Sequence, residues 1–231
     1  VTDVEITPDG KRAISCSTNM ICILWDLTTG KAFQSLKGHN SMITTVSITP
    51  DGKRAISGSM DCTCIYWDLN TGQIINTLKG HTELVNDVAI TYDGKMALSG
   101  SYDKTCILWD LTTGEALQTL RGHTHYVNAV SITPDGKRAI SGSNDRTCIN
   151  WDLNTGQIIN TLKGHTDSVN GVAITPDGKK AISCSSNTCI LWNLSNGAAP
   201  QSPGGHAASV MAVSITPNGK RAISGSGDST C

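Results

Sequence analysis

Sixteen consecutive residues, WDLNTGQIINTLKGHT, occupy positions 67–82 and return without a change at 151–166. Weaker copies fill the intervals. Tryptophans fall at Trp25, Trp67, Trp109, Trp151 and Trp192, and Gly-His pairs begin at Gly38, Gly80, Gly122, Gly164 and Gly205, so the period is 42 residues, once 41. A repeat of this length running end to end predicts an array of one supersecondary unit, each copy unable to bury its own apolar face until a neighbour stacks on it. It therefore favours one continuous domain over residues 1–231.

Within one period the local signals are those of strands. ITTVSIT (43–49) alternates and is rich in β-branched residues, Pro50-Asp51-Gly52 is a turn, and KRAISGS (53–59) is a second strand. A short turn at Met60-Asp61 leads to TCIYWDL (63–69), and Asn70-Thr71-Gly72 leads to QIINTL (73–78). Four short strands per period with no helical periodicity predict an all-β fold of four-stranded antiparallel sheets. Radial closure of such sheets into a propeller removes exposed edges.

Gly-His about thirty residues before Trp-Asp, with P-D-G and S-G-S-x-D between them, resembles the WD-repeat (WD40) β-propeller family across essentially the whole chain. The near-identity of the copies is similar to that of bacterial members. One departure is Ile48, Ile132 and Ile174 at the position where the family usually has an aromatic. The expected blades span about 1–41, 42–83, 84–125, 126–167, 168–208 and 209–231, the last lacking most of its third strand and its fourth. The chain is thus expected to be a piece of a longer one, with an open or imperfectly closed array. A second period of 84 residues, with Leu24, Leu108 and Leu191 alternating with Tyr66 and Asn150, points to duplication by pairs.

The resemblance implies a buried hydrogen-bond chain in each blade: His39, Ser57, Asp61 and Trp67; His81, Ser99, Asp103 and Trp109; His123, Ser141, Asp145 and Trp151. Physics supports it, because a buried indole N–H needs an acceptor and a buried imidazole needs partners for both nitrogens. Ser, His and Asp together also suggest a hydrolase triad, but a catalytic set is needed once and in a cleft, whereas this one recurs at fixed spacing. An enzyme using a polar central channel is the competing class. No catalytic residue, cofactor or metal site is predicted. The first and fifth repeats carry Asn19 and Asn187 in place of the turn Asp. These are expected to keep the hydrogen bond but not the charge. The stretch after Trp192-Asn193, with Pro200 and Pro203, predicts a poor outer strand in the fifth blade.

Six of nine cysteines hold one repeat position, Cys22, Cys64, Cys106, Cys148, Cys189 and Cys231, which predicts small buried hydrophobes with free thiols and hence a reducing, cytoplasmic setting. Cys62 and Cys64 make only a lone C-x-C. A net charge of -1 gives no bias toward nucleic acid or anionic membrane, and the apolar runs are too short for a spanning helix. Eleven of eighteen basic residues cluster in the turns after P-D-G, diluted by the Asp two residues before.

Against near-copies, the variable positions are informative. They lie after Gly-His and just before the turn Asp, and Met60, Leu84, Tyr102, Tyr126 and Asn144 are the residues expected to form a partner-binding rim. The function expected is a non-catalytic protein-interaction scaffold or recognition module of a longer multidomain signalling protein, with a protein or peptide partner. Neither nucleic acid nor membrane is implied, and a small-molecule ligand is compatible.

Overall fold

The computed structural model describes residues 1–201, 206–216 and 218–231, Pro200 and Gln201 by backbone alone. Gly205, the glycine of the fifth Gly-His pair, lies outside the described residues. Five four-stranded antiparallel meanders and one two-stranded sheet follow in chain order. The first holds β1 (Asp3–Ile6), β2 (Arg12–Cys16), β3 (Ile21–Asp26) and β4 (Lys31–Lys37); the second β5 (Ile43–Ile48), β6 (Arg54–Ser59), β7 (Thr63–Asp68) and β8 (Ile74–Lys79). The third holds β9 (Val85–Ile90), β10 (Met96–Ser101), β11 (Thr105–Asp110) and β12 (Ala116–Arg121); the fourth β13 (Val127–Ile132), β14 (Arg138–Ser143), β15 (Thr147–Asp152) and β16 (Gln157–Lys163). The fifth holds β17 (Gly171–Ile174), β18 (Lys180–Cys184), β19 (Cys189–Asn193) and β20 (Ala198–Gln201), and the sixth β21 (Val210–Ile215) and β22 (Ala222–Ser226). The outer strand doubted in the fifth repeat does form, but with four residues and a register shift between Leu191 and Asn193. No helix of the described residues is long and apolar enough to cross a membrane.

The chain divides into two compact units, Val1–Asp103 with Ile107–Thr119, and Lys104–Cys106 with Leu120–Cys231. In the first, Ile14, Leu24, Ile43, Ala55, Ile65 and Trp67 form one apolar layer between successive sheets, and Ile56, Cys64, Tyr66, Val88, Ala97 and Trp109 form the next. In the second unit, Ile140, Cys148, Leu162, Val172, Ile190 and Trp192 pack likewise. Alternate residues of one strand thus face opposite neighbours. This is why the middle strands are apolar on both sides and why no sheet buries its faces alone.

Turn chemistry fixes the register. Thr49 Oγ1 donates to Asp51 Oδ1 at 2.6 Å, the backbone N–H of Arg54 donates back to Thr49 Oγ1 at 3.1 Å, and Gly52 takes φ 67°, which favours glycine. The same Thr-to-Asp bond closes the turns at Thr7, Thr91, Thr133 and Thr175. It holds Asp51 below the usual carboxylate range, the Thr49 hydroxyl being the main cause.

Candidate functional site: buried polar chains and the loops they order

In the second to fifth sheets the third strand carries its Trp to the face covered by the preceding loop, and Gly38, Gly80, Gly122 and Gly164 lie against the rings of Trp67, Trp109, Trp151 and Trp192. A Cβ at Gly38 would stand 3.0 Å from Trp67 Cη2, and one at Gly122 equally close to Trp151 Cη2, so only glycine fits. The neighbouring His then reaches inward. Trp67 Nε1 donates to Ser57 Oγ at 2.8 Å, Ser57 Oγ lies 2.8 Å from His39 Nε2, and His39 Nδ1 lies 2.9 Å from Asp61 Oδ2. With a carboxylate on Nδ1, that nitrogen carries the proton and donates. Nε2 accepts from the serine hydroxyl, which accepts from the indole, and a neutral imidazole satisfies the whole chain. Burial, outweighing the pull of Asp61, lowers the proton affinity of His39 accordingly.

The structure brings the other two predicted sets together in the same way. His81 meets Asp103 at 2.8 Å and Ser99 at 2.7 Å, and Trp109 donates to Ser99 at 2.8 Å. His123 meets Asp145 at 2.8 Å and Ser141 at 2.7 Å, and Trp151 donates to Ser141 at 2.8 Å. The acceptor end was only half legible in sequence. Asp61 also takes the Thr63 hydroxyl at 2.6 Å and the backbone N–H groups of Thr63 and Asn40 at 3.0 and 2.8 Å, while its own N–H donates to Ser59 Oγ. Burial pushes its pKa up, but these bonds and His39 together hold it below the usual range. One carboxylate thereby ties the loop entering a sheet to the turn within it. The signal for Ser59 and Thr63 was their recurrence as Ser101 and Thr105, then as Ser143 and Thr147.

Two expectations about the Asn-bearing repeats are corrected. In the fifth sheet Trp192 donates to Ser183 at 2.7 Å and Ser183 meets His165 Nε2 at 2.7 Å, but His165 Nδ1 has no partner, and Asn187 does not replace Asp. The deletion explains it. Cys62, Lys104 and Arg146 follow the turn Asp with φ of 67–71°, and the fifth repeat lacks this left-handed residue. Its turn closes instead through Ser185 N–H to Thr188 O at 2.9 Å, which leaves Ser185 Oγ buried and unpaired as well. Burial, with no carboxylate to oppose it, pushes His165 down to about 4.

The second correction concerns sulfur. Cys22 and Cys189 are not free thiols: Cys16–Cys22 and Cys184–Cys189 are disulfides, each joining residues directly opposite across the second and third strands. In the second and fourth sheets the facing residue is Gly58 or Gly142, where a Cβ would stand 2.7 Å from Val85 or 2.6 Å from Val169. Only where that glycine has become cysteine does a pair exist; S-C-S in place of S-G-S was the available signal. Cys64 and Cys148 remain free, their thiols pushed up to about 12 by burial. Among the described residues no group of three or more His, Cys, Asp or Glu could hold a metal.

The predicted rim residues sit where the loop after Gly-His meets the residue before the turn Asp. In the first unit Met60 N–H donates to Met42 O at 2.9 Å and Tyr102 N–H to Leu84 O at 3.0 Å. In the second, Asn144 N–H donates to Tyr126 O at 2.9 Å. Met60 and Tyr126 are exposed, whereas Leu84, Tyr102 and Asn144 are half-buried, and Asn144 Oδ1 accepts from Asn128 at 2.5 Å.

Repeated four-stranded sheets, with the entering loop pinned by a Trp–Ser–His–Asp chain in three of them, define a class of β-repeat protein. The family model for the WD domain, G-beta repeat, matches residues 1–26, 30–68, 72–110, 114–152, 156–193 and 200–231, and the chain belongs to the WD40 repeat family. No curated protein sequence matches it.

Proposed function

We propose that the sheets are blades of a WD40 propeller that acts as a non-catalytic protein-interaction scaffold, its partner docking on the rim built by the loops after Gly-His. The observation that carries this reading is the division of labour within the repeat. Trp, Ser, His and Asp recur in the polar chains, whereas Met60, Leu84, Tyr102, Tyr126 and Asn144 differ from copy to copy beside them. Aromatics and Met on loops held by a rigid frame are favoured anchors for a protein or peptide. A sensor role within a multidomain signalling protein is the finer form of the same proposal.

The first strands are where an enzyme would need convergent groups, and in the first unit they carry Asp3, Glu5 and Asp87. Burial pushes Glu5 up to about 7, but Asp3 and Glu5 accept backbone N–H groups of Val46 and Ile48 on the neighbouring strand. That is an edge-joining role, and it supports the scaffold reading over catalysis.

The test is retention of partners from a native extract by two triple variants. Leu84→Ala with Tyr102→Ala and Tyr126→Ala should lose about 1–2 kcal/mol of binding per anchor, with little change in folding. Lys53→Ala with Lys137→Ala and Lys179→Ala should alter only salt-dependent association. Loss of the same partner by the lysine variant alone would move the binding face to the opposite rim.

A further inference from the structure

Three places of the repeat meet at one turn: the residue before the first strand, the residue before the turn Asp and the residue after it. In the third repeat they read Leu84, Tyr102 and Lys104, and in the fourth Tyr126, Asn144 and Arg146. In the second they read Met42, Met60 and Cys62, so all three carry sulfur. Elsewhere in the chain these places hold one sulfur, that of Met20.

The fold gathers the three. Ile43 and Ser59 are register partners of β5 and β6, and Met42 and Met60 follow as the next pair, with Met60 N–H donating to Met42 O at 2.9 Å. Side chains of such a pair leave the ladder on the same side, their β-carbons about 5 Å apart. Cys62 N–H donates to Ser59 O at 3.3 Å, and its left-handed φ of 67° turns the side chain back on the same turn, where the thiol donates to Met60 O at 3.9 Å. Methionine is unbranched and rotates about three side-chain bonds, so both thioethers can close on that sulfur without moving the backbone. The place is open to solutes: Met60 is 42% exposed, and Met42 and Cys62 are half-buried.

The donors select the ion. Two thioethers and a thiol are soft ligands and favour Cu(I), whereas Ca²⁺ and Mg²⁺ take oxygen and Zn²⁺ takes thiolate, imidazole or carboxylate. The local field suits a cation. Burial first, then the carboxylates of Glu83, Asp61 and Asp103, push the Cys62 thiol above its ordinary range. The charges that act on this sulfur are thus all negative; Lys104, at the equivalent place one repeat on, is exposed and is not among them. Carboxylates that hold a proton on sulfur also attract a monovalent metal ion to it.

We propose that Met42, Met60 and Cys62 bind one Cu(I) ion through three sulfurs at the rim of the second sheet, the thiol passing its proton to water as the metal takes its place. The site goes beyond the docking proposal and holds whether or not a protein partner uses the rim.

The experiment is an anaerobic competition of the whole chain for Cu(I) held by the coloured chelator bathocuproine disulfonate, with ascorbate as reductant so that the two disulfides stay closed. The parent should withdraw one Cu(I), and copper X-ray absorption should show sulfur ligands alone. Cys62→Ser should weaken binding by more than about 100-fold, because loss of even an outer-shell partner of a metal costs about 10- to 100-fold. That variant keeps the turn, since Ser229 holds the same left-handed place in the sixth repeat. Met42→Leu and Met60→Leu conserve volume and should each weaken binding by about tenfold. Cys231→Ser, which removes the exposed thiol, should change nothing. Full binding by both leucine variants would reduce the site to a single thiol and overturn the proposal. Loss of binding with Cys231→Ser, nitrogen or oxygen ligands in the absorption spectrum, or a parent that withdraws no copper would each refute it.

Discussion

The fourth and fifth sheets follow one another in the chain and share one plan, yet they are held differently. In the fourth, four groups run unbroken from Trp151 through Ser141 and His123 to Asp145. In the fifth the chain stops at His165, and a disulfide bridges the adjacent strands at the position where the fourth sheet has Gly142 opposite Cys148. The polar chain is therefore made of two separable halves. Its inner half, indole to serine to imidazole, needs only strand register and survives. Its outer half needs a turn of the right length, because the carboxylate reaches the imidazole only when a left-handed residue follows it. The first sheet teaches the same lesson from the other side: Trp25 still donates to Ser15 at 2.7 Å, Asn19 stands in the turn, and Cys16–Cys22 is bonded. Covalent cross-strand bonds and turn Asn residues occur together in the first and fifth sheets.

The largest contrast should come from removing the turn side chain. Asp145→Ala deprives His123, Thr147 and the N–H of Thr124 of their acceptor and should cost about 3 kcal/mol in urea unfolding. Asn187→Ala should stay within about 0.5 kcal/mol. Equal losses would mean that the fifth turn is as engaged as the fourth.

Opening the Cys184–Cys189 bond comes next. The closed loop is short, so Cys184→Ala with Cys189→Ala should lose about 2 kcal/mol through unfolded-state entropy, and dithiothreitol should reproduce that loss in the parent. Cys148→Ala should show no redox-dependent part, its partner position being glycine.

A smaller effect marks the orphaned His165 by pH. His165 titrates near 4 when folded against 6.5 unfolded, so its folded pKa is depressed. The unfolded chain gains its proton first as pH falls, and stability drops between about 6.5 and 4. From pH 7 to 5.5 the loss should be on the order of 1 kcal/mol, allowing for screening of a group not fully enclosed. A His165→Gln variant should remove that slope; an unchanged slope would assign it to another group.

The smallest effect sharpens the turn argument. Asn187→Asp alone should gain under about 0.5 kcal/mol, since the turn remains short. Asn187→Asp with one residue inserted after it should gain about 1 kcal/mol by restoring a charged hydrogen bond. If the point substitution alone gave the full gain, turn length would not be what orphans His165.

Much was legible because repetition makes a sequence its own control. The strands, the T-x-D-G turns and the weakness of the fifth repeat follow from periodicity 2 inside periodicity 42, since hydrogen bonds of strand and turn are local or recur at fixed spacing, whereas the Trp–Ser–His–Asp sets came from the resemblance to the WD-repeat family. What tertiary structure alone decided was reach and enclosure. Whether Asn187 touches His165 depends on a turn shortened by one residue, and whether Cys16 bonds Cys22 depends on their being register partners with Cα atoms 4.2 Å apart. A repeat states which residue occupies each place; only packing states which atoms are left without one another.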